Sequence, residues 1–150
     1  MKGLNIVLLV CFAMLLGSCC SKKGACPLLE FSSFDLANFE SNEVTDSVNL
    51  IRYKGGTNFT TVLDTSFLKA SPTDDPKVFR LTTSQLSLSN DYAVQVVKLK
   101  KVYKVGNYTT EKITCGKCFM RSNNQFGYQL TGYTVNNAAQ TFENTIRIFK

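Results

Sequence analysis

The chain has 150 residues, 44% apolar and 19% charged, with a net charge of +6; this suits one globular domain and excludes a disordered chain, which is apolar-poor and highly charged. It contains no histidine, which excludes a Ser-His-Asp or Cys-His catalytic centre and removes the commonest metal ligand. The charge is uneven: residues 21–76 carry 5 basic and 8 acidic side chains and residues 77–150 carry 11 and 3, so any attraction for an acidic partner belongs to the second half.

The first twenty residues, MKGLNIVLLVCFAMLLGSCC, place one lysine before an apolar run from Ile6 to Leu16 and then small residues. That run is too short to span a hydrocarbon core about 30 Å thick, so it predicts a secretory signal and export of the rest of the chain. At its end, Leu16-Gly17-Ser18-Cys19 resembles the lipobox of bacterial lipoprotein precursors, in which a leucine and two small residues precede the cysteine that is lipidated. The resemblance covers about 19 residues. It implies a diacylglyceryl group on the Cys19 thiol, cleavage before Cys19 and acylation of the new amino terminus. Two or three acyl chains on one residue hold a protein at a bilayer effectively permanently, since each buried methylene contributes about 0.8 kcal/mol. The tether CSKKGAC carries Lys22 and Lys23 and no acidic residue, which suits an anionic lipid surface. By the family's sorting rules this implies the outer membrane, facing the periplasm. The alternative is an ordinary signal peptidase cutting after Cys19 or Cys20, which would yield a secreted protein.

Residues 27–150 predict a single all-β domain. The stretch CPLLEFSSFDLANFES is ambiguous between an edge strand and a helical turn near Asp35 to Asn38. SVNLIRY (47–53), the glycine-containing KGGTN and FTTVL (59–63) predict a hairpin. KVFRL (77–81) and SQLSLS (84–89) are shorter strand candidates. The last third predicts a four-stranded antiparallel meander: 92–105, a turn at Gly106-Asn107, 108–120, 126–135, a turn in NNAAQ, and 141–149. Alternation puts Phe126, Tyr128 and Leu130 on one face, and Phe142, Ile146 and Ile148 on another. Seven or eight short strands favour an antiparallel β-sandwich, with a partly closed small barrel as the alternative.

With Cys19 lipidated, Cys20, Cys26, Cys115 and Cys118 form an even set in an oxidising compartment, candidates for disulfides in any of three connectivities. The Cys115-Gly116-Lys117-Cys118 motif lacks the helix N-terminus that activates a redox pair. The four thiols also lack the two close pairs of a structural zinc site, so neither a metal nor a cofactor is expected. The densest basic run, KLKKVYK, contributes Lys98, Lys100, Lys101 and Lys104 as a candidate basic surface. Without an aromatic recognition motif around it, nucleic acid is not the expected partner. Asp74-Asp75, in the proline-flanked SPTDDPK, reads as a turn rather than a catalytic carboxylate pair. These features point to a non-catalytic binding or scaffold module with a protein or polysaccharide partner. The alternative is a secreted, disulfide-stabilised domain holding a small apolar ligand.

Overall fold

The computed structural model describes residues 30–44, 48–116 and 125–150. The described residues fall into two compact units, residues 112–116 with 125–129 and residues 30–44 and 48–111 with 130–150. The first is strand. The second carries the fold. The elements in chain order are β1 (Glu30–Ala37), the short helix α1 (Ser41–Val44), β2 (Val48–Lys54), β3 (Val62–Leu68), β4 (Ala70–Pro72), β5 (Val78–Ser87), β6 (Asn90–Val96), β7 (Lys101–Gly116), β8 (Gln125–Val135), β9 (Ala138–Thr141) and β10 (Ile146–Phe149). They build two sheets, one ordered β10-β1-β5-β4 and one ordered β3-β2-β6-β7-β8-β9. The fold is an all-β sandwich. Among the described residues neither sheet closes on itself, so the barrel alternative is not adopted.

Period-2 alternation explains which residues fill the space between the sheets. Phe34 and Leu36 of β1, Phe79 and Leu81 of β5, and Ile146 and Ile148 of β10 come from the smaller sheet. Val48 and Leu50 of β2, Tyr92, Val94 and Val96 of β6, and Tyr103 and Val105 of β7 come from the larger. Rings meet across the interior edge to face, Phe34 on Tyr92 at 5.8 Å and Phe39 on Tyr103 at 5.7 Å. A register shift between Phe31 and Ser33 lets Phe31 join Phe34, three residues on, with ring centroids 5.3 Å apart. Each fully buried side chain of this kind contributes about 1.5–3 kcal/mol.

Several predicted elements form differently. β1 is a strand, and an interior one, flanked by β10 and β5. The two short candidates at 77–89 are one strand, β5, of 10 residues. The predicted strand 92–105 breaks at Val97–Leu99, a 3-10 turn closed by Lys100 at φ 53, so β6 and β7 form a hairpin there. Gly106-Asn107 does not reverse the chain. Asn107 takes φ 48 within β7, re-aiming the strand so that Val105 and Tyr108, three apart, both reach the core cluster. The NNAAQ turn shortens to Asn136 and Asn137, both at positive φ (49 and 70), as a two-residue hairpin loop requires. The meander in the larger sheet is β6-β7-β8-β9. The last predicted strand instead joins the other sheet, with β10 parallel to β1 and Ile146 opposite Phe34. Same-face alternation does not ensure burial either: Leu130 is 7% exposed and Tyr128 is 48% exposed, because alternation sets the side and neighbours supply the cover.

Two tyrosines of the larger sheet lock onto backbone of the smaller. The Tyr92 hydroxyl accepts from Ser87 N (2.9 Å) and donates to Ser87 O (3.1 Å). The Tyr133 hydroxyl accepts from Arg147 N (2.7 Å) and donates to Arg147 O (3.0 Å).

The short helix α1 is held by Glu43. Its carboxylate accepts from Glu40 N at 2.9 Å and from Lys150 Nζ at 2.6 and 2.9 Å. The Glu40 amide, then Lys150, holds the Glu43 carboxyl below its ordinary value. A carboxylate lowered in the folded state stabilises fully above its unfolded pKa, and that contribution disappears as pH falls through the folded value. In thermal melts below about pH 4.3, the wild type should therefore lose Tm more steeply than Glu43→Gln; parallel pH profiles would show that this link does not contribute.

Candidate functional site

The outer face of the six-stranded sheet carries several large exposed apolar side chains. Register aligns Phe67 of β3, Asn49 of β2, Gln95 of β6 and Val102 of β7 in one row across four strands. The next row runs Thr65, Ile51, Ala93 and Lys104. Phe67 is 59% exposed and Val102 42%, whereas Asn49 Nδ2 donates to Gln95 Oε1 at 3.0 Å and seals the polar centre of its row. Ala93, on the same face, is fully buried beneath its neighbours.

The β2–β3 connection extends this surface. A Cβ on Gly55 would lie 2.1 Å from Ser89 O, so the chain passes there because glycine has no side chain. The turn beyond it returns Phe59 onto Tyr53 at 5.4 Å, and Lys104 Nζ stands 5.2 Å from the Phe59 ring centroid, a cation–π contact. Asp91 accepts from Gly56 N at 3.3 Å, and burial pushes its carboxyl upward, against that bond. Val62, 54% exposed, pairs with Tyr53, so apolar groups continue to the sheet edge.

The candidate lysines occupy different places. Lys98 Nζ donates to Asn42 O at 2.6 Å. Lys100 is the left-handed residue of the β6–β7 hairpin. Lys101 begins β7 within electrostatic reach of Glu43, and Lys104 is the one over Phe59. β6 and β7 are interior strands, so this run does not guard a sheet edge. Among the cysteines, Cys115 lies in β7; Cys19, Cys20, Cys26 and Cys118 lie outside the described residues, as does the Leu16-Gly17-Ser18-Cys19 motif. Among the described residues no group of three or more His, Cys, Asp or Glu could hold a metal, and no helix is long and apolar enough to cross a membrane.

Two further arrangements are invisible to sequence patterning. On the outer face of the smaller sheet, Asp35 is 2% exposed and bonded by Arg80 through Nε at 2.8 Å and Nη2 at 3.0 Å; this pair raises the Arg80 guanidinium. Beside it, a cavity of about 310 Å³ opens among β8, β9 and β10, lined by Tyr133, Gln140, Glu143, Asn144, Arg147 and Phe149 with neighbouring threonines. No family model, curated protein or solved structure matches the chain.

Proposed function

We propose that this chain is an exported lipoprotein, anchored through Cys19 in the outer membrane and facing the periplasm, whose sandwich is a non-catalytic docking module for another protein. The observation that carries the docking reading is the outer face of the larger sheet, where Phe67, Val62 and Val102 stand exposed around a sealed polar centre. Apolar anchors set on one sheet face beside polar groups that are already paired make up an association surface. Lys104, held over Phe59, adds one fixed positive charge, so the partner surface is apolar with an acidic group facing Lys104. The interior of the sandwich is filled by the ring pairs described above, which favours action at a surface over an enclosed apolar ligand.

The test is site-specific photo-crosslinking in intact cells with the reactive group at Phe67 or Val102, and at Thr82 on the opposite sheet as control. A single discrete adduct from the first two positions, lost when Lys104→Glu is added, is the expected result. Equal adducts from Thr82, or none from Phe67 and Val102, would remove the docking face.

A further inference from the structure

We infer that the cavity among β8, β9 and β10 binds a small zwitterion of the α-amino acid type, its carboxylate on Arg147 and its ammonium on Glu143. Arg147 lines this cavity without a carboxylate of its own. Its cross-strand neighbour is Asp35, whose two oxygens are both taken by Arg80. Among the described residues the Arg147 side chain makes no ion pair, and its Nε is buried with no hydrogen-bond partner. Buried, that Nε is out of a ligand's reach, but the two Nη groups also make no hydrogen bond among the described residues, and a planar carboxylate is the group that takes them in two parallel bonds.

Glu143 lines the same cavity and is not paired with Arg147. Both act electrostatically on Tyr133, Arg147 lowering its hydroxyl and Glu143 raising it. The cavity therefore presents a cation and an anion that do not neutralise each other. A simple anion would meet repulsion from Glu143, and a simple cation would meet it from Arg147; a molecule carrying both charges satisfies the two ends at once.

The remaining walls fit such a ligand. Gln140 and Asn144 offer neutral donors and acceptors, and Phe149, 49% exposed, supplies an apolar wall for a side chain. The volume, about 310 Å³, lies at the small end of ligand pockets. Tyr133 completes the site's floor: by capping Arg147 N and O it keeps the free edge of β10 from pairing with another strand and holds the backbone that carries Arg147.

The experiment is calorimetric titration of the full chain in detergent with glycine, leucine, glutamine and phenylalanine. Each is compared with its deaminated carboxylic acid and its decarboxylated amine. At least one amino acid should bind with a dissociation constant of about 1 mM or tighter, and its two half-molecules about tenfold or more weaker. Arg147→Gln and Glu143→Gln should each weaken that binding about tenfold while Tm stays near the wild-type value, because neither side chain holds an ion-pair partner among the described residues. No binding by any of the four amino acids up to about 10 mM would overturn the inference. So would half-molecules that bind as well as the parent, or an Arg147→Gln variant with unchanged affinity.

Discussion

Replacing Arg80 with methionine should destabilise the protein by about 3 kcal/mol, the lower part of the range for breaking a buried ion pair. The lower part applies because the Arg80 side chain is 47% exposed, whereas Asp35 is 2% exposed. The loss has a definite origin. Both Asp35 oxygens are bonded by Arg80 alone, and without it a carboxylate remains where water barely reaches. Removing both members should therefore cost far less than removing one: Asp35→Val with Arg80→Met replaces the pair by apolar groups on a strand whose neighbours, Ala37 and Val78, are already buried. Urea unfolding of the two variants checks this. A double variant as unstable as Arg80→Met would show that the cost comes from lost arginine packing rather than from an uncompensated charge.

The second large effect concerns three tyrosines that look alike in sequence and differ in what their hydroxyls touch. Tyr92→Phe and Tyr133→Phe should each cost about 2 kcal/mol, because each removes two bonds and leaves a backbone N–H and C=O unpartnered, Ser87 in one case and Arg147 in the other. Tyr103→Phe should be neutral or stabilise by up to about 1 kcal/mol, since the Tyr103 hydroxyl is buried with no hydrogen-bond partner. Burial raises the pKa of Tyr92 and of Tyr133, so both keep the proton that they donate to the other sheet. Stability supplied by these hydroxyls is then complete below the ordinary tyrosine pKa of about 10 and fades as pH rises through the raised folded values. Thermal melts of the three variants check the ranking; equal losses at all three positions would mean that ring packing, not the hydroxyl bonds, sets the effect.

The tyrosines and the Asp35–Arg80 pair mark the boundary between what is legible in the amino-acid order and what is not. Alternation puts Ile146 and Ile148 on one face, and both are buried, because burial on one side of a strand leaves a period of two. It fails for β1, where Asp35 in mid-strand looks like the polar side of an edge; the carboxylate is buried because Arg80 stands opposite it, and no local pattern reveals a partner 45 residues away. The lysine run reads as strand because Val97, Leu99 and Val102 are interspersed with charge, but Lys100 turns left-handed and the chain reverses. Asn107 misleads in the opposite sense: positive φ serves a kink inside a strand as readily as a turn. The cavity gives no signal at all. Its charged members, Glu143 and Arg147, sit four residues apart in an unremarkable stretch, and their meaning comes from β8 and β9 closing around them. The docking face is hidden for a related reason, since exposure of Phe67 and Val102 depends on register across β3, β2, β6 and β7.

Attachment of the sandwich to a bilayer is the premise of the proposed function, and the intact mass of the mature protein recovered from membranes tests it most directly. The expected product is a chain that begins at Cys19, bearing a diacylglyceryl group on sulfur and a further acyl chain on the amino terminus. A chain that begins elsewhere, or one that begins at Cys19 with a free thiol and no acyl mass, would contradict it.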